Sequence, residues 1–175
     1  LLEALKFAAA KHRDQRRKDA NATPYINHPI CVAEKLWAVG RVRDMTVIVA
    51  GVLHDTLEDT DTSATELESL FGPEVRALVE EVTDDKNLPK AVRKRLQVEK
   101  AAIRSGPARL VKIADKICNI QDIIESPPAE WSTQRCREYV AWAEQVVDRL
   151  RGANEHLESR FDELCGQAKV KFRRP

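Results

Sequence analysis

The sequence predicts an all-α fold, a compact bundle of about eight to ten helices in a single domain spanning residues 1–175. Apolar residues recur with the helical period of 3.6 along most of the chain. Strand signals are scarce, because β-branched runs are short and no Asn-Gly or Asp-Gly hairpin turn occurs. A chain of 175 residues can bury a substantial core in one domain.

The composition limits the class of protein. Hydrophobic residues make up 43% of the chain and charged residues 33%, which suits a soluble globular protein and argues against disorder. The net charge of +1 gives no global attraction for nucleic acid or for an anionic membrane, so neither is an expected partner. The longest apolar run, residues 47–53, is too short to span a bilayer. The sequence leaves the oligomeric state open.

The four cysteines are widely separated and form no CxxC pair, which makes a zinc finger or a secreted disulfide framework a weak interpretation. We expect reduced, partly buried thiols in a cytoplasmic protein. The residues concerned are Cys31, Cys118, Cys136 and Cys165.

Helical periodicity and breaking residues predict the elements of the first half in order. Pro29 is expected in the first turn of the second helix and Gly40 at its end, and Asp44 is the expected N-cap of the third. In the fourth helix, capped by Thr62 or Ser63, Leu67 and Leu70 are expected to face inward. The predicted helices run from residue 2 to about 12–15, then over 30–39, 45–58, 63–71 and 74–82, where Pro73 restarts the chain.

The second half continues in the same way. Ser105-Gly106-Pro107 and Pro127-Pro128 mark clear stops, and the strongest apolar periodicity lies between them. Asp115 interrupts the apolar face of that helix. The predicted helices run over 90–100, 108–124, 132–150 and 153–169.

The most informative segment is the apolar run 47–53 that leads into His54-Asp55, followed by Glu58-Asp59. In a continuous helix, His54 and Glu58 would share one ridge at i,i+4, and Asp55 and Asp59 the next. Burying three carboxylates and an imidazole bare is costly. A bound divalent cation would offset that cost by neutralising the carboxylates.

Two distant segments can complete a metal site. His28 lies in a Pro-Tyr-Ile-Asn-His-Pro segment, and Asp115 lies on the apolar helix. Alone, His28 could be a loop or capping residue and Asp115 a surface charge. Together with His54 and Asp55 they give two nitrogens and two carboxylate oxygens, a set that suits Mn²⁺, Fe²⁺ or Zn²⁺. Four protein ligands on a six-coordinate ion leave two positions open, as a hydrolase requires.

The spacing of these residues resembles that of the HD-domain metal-dependent phosphohydrolases, and the surrounding motifs resemble the hydrolase domain of the RelA/SpoT family. The resemblance extends to about Ala143. Nothing in the chain resembles the synthetase or regulatory domains of the longer members, so the chain is similar to the stand-alone small alarmone hydrolases of metazoans. The motifs are Arg17-Lys18-Asp19, Thr23-Pro24-Tyr25-Ile26-Asn27-His28-Pro29, Leu53-His54-Asp55-Thr56-Leu57-Glu58-Asp59-Thr60, Phe71-Gly72, Glu81-Val82-Thr83-Asp84-Asp85, Arg93-Lys94-Arg95 and Lys112-Ile113-Ala114-Asp115-Lys116-Ile117-Cys118-Asn119-Ile120.

The resemblance implies an HD-type helical bundle and a role for each matched residue. Glu58 and Asp59 match the acidic pair that orients and deprotonates the attacking water, and Mn²⁺ is the ion implied. The implied metal ligands are His28, His54, Asp55 and Asp115, and the implied nucleotide contacts are Arg17, Lys18, Asn119 and Tyr139. The Arg93-Lys94-Arg95 cluster could form a basic rim, but we interpret it as a solvated helix face.

The implied activity is hydrolysis of the 3′-pyrophosphate of guanosine tetra- or pentaphosphate, which yields GDP or GTP and pyrophosphate. One alternative is a related substrate, either an adenosine analogue of this alarmone or the 2′-phosphate of NADPH. The other alternative is a catalytically silent HD domain that binds a nucleotide.

Overall fold

The computed structural model describes residues 1–173, and all of their extended regular elements are helical. This confirms the predicted all-α class. Within this part of the chain, no helix combines the length and apolar character needed to cross a bilayer. The elements are α1 (Leu2–Lys11), α2 (Asn27–Glu34) with a π-helical continuation (Lys35–Val39), α3 (Met45–Leu53), α4 (Thr56–Asp59), α5 (Ala64–Phe71), α6 (Pro73–Val82), α7 (Lys90–Ala101), α8 (Gly106–Glu125), α9 (Thr133–Asp148) and α10 (Glu155–Lys171).

Helix α8 is the central helix of the bundle. It packs against α2, α3, α6, α9 and α10, so most of its circumference is enclosed. Its apolar residues Ile113, Ile117 and Ile120 are fully buried. Asp115 lies on this enclosed helix and is itself only 6% exposed. A carboxylate at that depth requires charged or hydrogen-bonding partners.

Helix α3 is the second buried helix, and every residue from 47 to 53 is buried. Its close packing against the π-helical segment depends on Gly51, because a Cβ there would lie 2.6 Å from Leu36 Cδ1. Leu36 is fully buried and has little room to move. Gly51 therefore lets these elements meet one turn before His54.

Several predicted helix starts are confirmed by their caps. The Asp44 carboxylate accepts a hydrogen bond from the Thr46 amide at 2.9 Å, and the Ser63 hydroxyl accepts one from the Glu66 amide at 3.1 Å. Pro73 occupies the first turn of α6 as predicted.

Three local predictions were wrong. The third helix ends at Leu53 rather than near Glu58. Side chains bond the carbonyls of its last turn, because the Thr56 hydroxyl donates to Leu53 O at 2.7 Å and His54 Nδ1 donates to Gly51 O. The second helix begins at Asn27 rather than Ile30, so His28 lies inside the helix, whereas Pro29 lies in the first turn as predicted. Leu70, expected to face inward, is 53% exposed.

The prediction of four reduced thiols was also wrong for one pair. Cys31 on α2 and Cys118 on α8 form a disulfide, with their Cα atoms 6.2 Å apart. The two helices pack directly against each other, so the cysteines meet although 87 positions separate them in sequence. Cys136 and Cys165 are free and buried, as expected.

Candidate metal centre and adjoining cleft

Three separate segments bring the four predicted metal ligands together. His28 comes from the first turn of α2, His54 and Asp55 from the turn between α3 and α4, and Asp115 from the middle of α8. His28, His54 and Asp115 each offer one ligand atom, and these atoms all lie within 4.8 Å of one another. The three residues are at most 6% exposed.

The distances suit a single divalent ion. His28 Nε2 lies 3.2 Å from Asp115 Oδ1 and 3.8 Å from Asp55 Oδ2, and His54 Nε2 lies 3.0 Å from Asp55 Oδ2 and 3.9 Å from Asp115 Oδ1. Octahedral bonds of about 2.1 Å place adjacent ligand atoms about 3.0 Å apart and opposite atoms about 4.2 Å apart. These four separations fall within that range, and the group whose ligand atoms all lie within 4.8 Å of one another comprises His28, His54 and Asp115 without Asp55.

The environment of His54 also fits a metal ligand. Its Nδ1 lies 2.9 Å from Gly51 O, a partner that requires Nδ1 to carry the proton. Its Nε2 is buried without a hydrogen-bond partner and faces the two carboxylates. A ring whose Nδ1 proton is held by a backbone carbonyl, with Nε2 available beside two carboxylates to exchange a proton for a cation, is the usual arrangement of a ligating histidine. The residues present therefore fit a divalent cation.

The two carboxylates are ionised despite their burial. Burial alone would raise the pKa of Asp55, but His54 and His28 hold it well below its usual range. Burial opposes ionisation of Asp115 in the same way, and Lys116 and the histidines hold its pKa low. Both residues are thus charged oxygen donors, the form in which carboxylates bind metals.

Asp115 is fixed from both sides. Asn119 Nδ2 donates to its Oδ1 at 2.6 Å, and Lys116 Nζ donates to its Oδ2 at 2.9 Å. Asn119 Oδ1 accepts in turn from Arg17 Nη2 at 3.1 Å, and the same nitrogen bonds Asp122 at 2.5 Å. Asn119 and Arg17 thus form a connected network behind the cluster, and their contacts with a nucleotide stay predictions.

The predicted acidic pair lies on α4, beside the cluster. Glu58 Oε2 accepts from the Asp84 amide at 3.1 Å, and Glu58 Oε1 lies 3.5 Å from Arg93 Nη1. Burial raises the pKa of Glu58 above its ordinary value, and the charges of Asp84 and Asp55 raise it further. A carboxylate with raised pKa is better suited to accept a proton near neutral pH.

Asp59 makes different contacts. Its carboxylate pairs with Lys86, and its Oδ2 lies 3.3 Å from the Tyr25 hydroxyl. The same hydroxyl donates to Asp55 Oδ2 at 2.6 Å. Tyr25 was not singled out by the sequence analysis, because a tyrosine in a loop has no characteristic spacing to a metal ligand.

A cleft of about 470 Å³ opens over the cluster, and its walls carry both signs of charge. Asp55, Glu58 and Asp59 are acidic residues of its lining. The lining also carries a group of cations from α7, α8 and α9, of which Arg93 lies beside Glu58 and Lys116 beside Asp115. The cations are Lys90, Arg93, Lys94, Lys112, Lys116 and Arg135.

Some of these cationic side chains repel one another. Burial lowers the pKa of Lys90, and the charged groups that act on it are all cationic: Arg135, Lys18 and Arg93. Burial and the neighbouring Lys90 likewise lower the pKa of Lys94. An anion bound here would relieve this repulsion.

The interpretation of Arg93-Lys94-Arg95 as a solvated face was wrong for two of the three residues. Arg93 and Lys94 line the cleft. Only Arg95 points outward, with a side chain that is 65% exposed and an ion pair to Glu99 at 3.4 Å. Sequence alone could not separate them, since a charged side chain on a helix can either line a cleft or face solvent.

A second cavity of about 440 Å³ adjoins the cleft and shares Arg17, Asn119 and Tyr139 with it. Lys18 lines this second cavity, so all four predicted nucleotide contacts border the cleft or its extension. Tyr139 packs between Trp131 and Trp142, with ring centroids 5.5 and 5.2 Å apart, and burial raises its pKa to about 12. The two tryptophans were missed by the sequence analysis.

A helical bundle with this His, His-Asp, Asp cluster defines a protein of the HD class. A family model described as HD domain matches residues 4–141. The guanosine-3′,5′-bis(diphosphate) 3′-pyrophosphohydrolase MESH1 of Homo sapiens is 55% identical, with 95% of this chain and 93% of that protein covered. The Danio rerio protein of the same name is 53% identical, with 98% and 96% covered.

Structural comparison agrees with these matches. A solved structure described as a metazoan ortholog of SpoT that hydrolyzes ppGpp and plays a role in starvation responses superposes with a TM-score of 0.92. It is 49% identical in sequence, and 95% of this chain and 93% of that chain are covered. The chain therefore belongs to the HD-domain family, together with the MESH1 pyrophosphohydrolases.

Proposed function

We propose that this chain hydrolyses the 3′-pyrophosphate of guanosine 3′,5′-bis(diphosphate) and of the corresponding pentaphosphate, yielding GDP or GTP and pyrophosphate. The observation that carries this proposal is the cleft whose lining combines a buried His/Asp cluster, an acidic pair and a group of cationic side chains. The names of its relatives support the same substrate.

The chemistry of the substrate matches the walls of the cleft. A nucleotide with two diphosphates is a polyanion, and the repelling ammonium groups of Lys90 and Lys94 offer sites for it. Arg135, whose guanidinium lies 4.6 Å from the Trp131 ring centroid, can add a planar bidentate donor. The adjoining cavity, bordered by Lys18 and Tyr139, is the proposed place of the nucleoside.

His28, His54, Asp55 and Asp115 would hold the cation. Their mixed nitrogen and oxygen donors suit Mn²⁺, Fe²⁺ or Zn²⁺, and we propose Mn²⁺ because the resemblance to the RelA/SpoT hydrolases implies it. A divalent cation held there polarises a phosphoryl oxygen and so favours attack at phosphorus.

The chain's own acids would handle the water. We propose that Glu58, with its raised pKa, accepts the proton of the attacking water and that Asp59 orients that water. Arg17, Lys18 and the cations of the cleft would hold the remaining phosphates in place during this step.

The test is release of pyrophosphate by the purified protein with Mn²⁺ and guanosine tetraphosphate. Parallel assays that measure release of pyrophosphate and phosphate from the adenosine analogue and from NADPH separate the alternative substrates. We expect pyrophosphate from the guanosine compound and none after chelation of the metal. Absence of release from guanosine tetraphosphate would contradict the proposal.

Loss of turnover with retained nucleotide binding in a Glu58→Ala, Asp59→Ala variant would support hydrolysis over a silent binding role. Unchanged turnover in that variant would refute the roles assigned to the acidic pair.

A further inference from the structure

The hydroxyl of Tyr25 lies between the metal cluster and the acidic pair. It donates to Asp55 Oδ2 at 2.6 Å and lies 3.3 Å from Asp59 Oδ2. A tyrosine hydroxyl carries one proton and can fully donate to only one acceptor at a time. The shorter distance assigns that proton to Asp55 and leaves Asp59 as the secondary partner.

The oxygen that Tyr25 contacts is the one directed at the cluster. Asp55 Oδ2 is also the atom that lies 3.0 Å from His54 Nε2 and 3.8 Å from His28 Nε2. The hydrogen bond of Tyr25 therefore sets the position of the donor atom itself.

Asp55 needs such support more than Asp115 does. Asp115 projects from the middle of a buried helix and receives hydrogen bonds from Asn119 and Lys116. Asp55 lies in the turn between two helices and caps no backbone amide. Within residues 1–173, Tyr25 is the one hydrogen-bond donor to the Asp55 carboxylate from outside the four-ligand cluster.

Tyr25 is itself held firmly. Its amide donates to Gln15 O at 3.1 Å, and its carbonyl accepts from the His28 amide at 2.9 Å. Its ring packs on His12, with centroids 4.9 Å apart, and beneath the guanidinium of Arg17 at 5.6 Å. A donor fixed by backbone and by ring contacts can transmit a defined position to the carboxylate.

We propose that Tyr25 is a positioning residue that aligns Asp55 for the cation and links this ligand to Asp59. The link to Asp59 rests on the proposed hydrolase function. The alignment of Asp55 does not, because it concerns metal binding alone.

The first test measures Mn²⁺ binding to metal-free wild type and Tyr25→Phe by competition with a chelator. Because Phe keeps the ring contacts and loses only the hydroxyl, we expect a folded variant whose Mn²⁺ affinity is about 10- to 100-fold weaker. Thermal unfolding of the metal-free proteins checks the fold.

The matched control is Tyr139→Phe, which removes the same group from the chain's other tyrosine. Tyr139 has no contact with Asp55 among those described, so Mn²⁺ affinity should stay at the wild-type value. Wild-type Mn²⁺ affinity in Tyr25→Phe would overturn the proposal.

The second test uses saturating Mn²⁺ and guanosine tetraphosphate. We expect Tyr25→Phe to lower kcat with little change in KM, and its effect to be non-additive with that of Asp59→Asn. A raised KM at wild-type kcat would instead place the hydroxyl in substrate binding and overturn the link. If the wild type does not cleave this nucleotide, the proposed function fails, and Mn²⁺ binding still decides the role of Tyr25.

Discussion

At the scale of single residues, replacing Asp55 is expected to affect the candidate metal centre most strongly. Its Oδ2 contacts both histidines of the cluster and the Tyr25 hydroxyl. We expect Asp55→Ala to abolish Mn²⁺ binding and turnover, because a charged ligand is lost and His54 Nε2 stays buried without its nearest partner. Metal analysis of the purified variant measures this.

The control for Asp55→Ala is Asp61→Ala, which removes an aspartate whose side chain is 88% exposed and pairs only with Lys11. That variant should bind Mn²⁺ normally. Full occupancy in Asp55→Ala would contradict the assignment of this ligand.

The environment of Glu58 predicts a pH effect. Burial raises its pKa, and the hydrogen bond from the Asp84 amide opposes this rise. The charges of Asp84 and Asp55 raise the pKa further, and the ammonium of Lys112 lowers it. In Lys112→Met the pKa of Glu58 should rise further, so the carboxylate takes up its proton at a higher pH. Because the proposed base works deprotonated, kcat should begin to fall at a higher pH on acidification. Profiles of kcat against pH for the wild type, this variant and the exposed control Lys100→Met would measure this shift of the acidic limb. Acidic limbs that coincide in the wild type and Lys112→Met would count against Glu58 as the base.

At the scale of helices, the junction of α3 and α4 shows what the sequence could and could not predict. The Asp44 cap and the buried run 47–53 follow from local rules and are correct. The break after Leu53 was missed because it depends on hydrogen bonds from His54 and Thr56 to backbone carbonyls. Periodicity cannot detect such bonds, since the residue types are also compatible with a helix.

The predicted meeting of His28 and Asp115 with His54-Asp55 did not come from the spacing along the chain alone. The donor chemistry of residues that are unusual for their positions suggested one shared metal site, and the resemblance to a known family then assigned each of them as a ligand. The Tyr25, Trp131 and Lys90 contacts could not be predicted in this way, because they depend on how α7, α9 and the loop before α2 pack against α8.

The approach of α3 to the π-helical segment predicts a stability effect. Gly51→Ala places a Cβ 2.6 Å from Leu36 Cδ1 in a fully buried region, so we expect destabilisation of about 1–3 kcal/mol. Gly166→Ala in α10 is the matched control, because a Cβ there meets nothing within 4 Å and should stabilise the helix by about 0.5–1 kcal/mol. Urea denaturation measures the free energy of unfolding of both variants and of the wild type. Equal values for the two variants would show that the contact between Gly51 and Leu36 is not tight.

The link between α2 and α8 predicts a response to reductant. Cys31 and Cys118 are 87 positions apart, so the disulfide restricts a large part of the unfolded chain. Reduction with dithiothreitol should lower the free energy of unfolding by about 2–4 kcal/mol. In Cys31→Ser, denaturation curves with and without reductant should coincide, and a wild type that is insensitive to reductant would contradict the prediction.

At the scale of the whole molecule, the distribution of charge matters more than its sum. The net charge is only +1, yet the lining of the cleft carries groups of both acidic and cationic side chains. Net charge therefore gave no sign of the local cationic groups that suit a small polyanion.

Two neighbouring residues of α7 test the role of these cationic groups. Lys94 lines the cleft, whereas Arg95 points outward with a 65% exposed side chain. Lys94→Gln should raise KM for guanosine tetraphosphate several-fold, and the increase should shrink at high salt because the lost interaction is electrostatic. Arg95→Gln should leave KM unchanged. Equal effects of the two substitutions would mean that overall charge, rather than the cleft, attracts the substrate.

The disulfide between Cys31 and Cys118 has a further consequence for the integrity of the chain. The polar segment between α6 and α7 exposes Asp85, Lys86 and Asn87, where a protease can cut. A cut there separates His28, His54 and Asp55 from Asp115 along the backbone. Because the disulfide joins the segments on either side of that cut, the two fragments stay one covalent molecule until the bond is reduced, and all four predicted metal ligands stay attached to it.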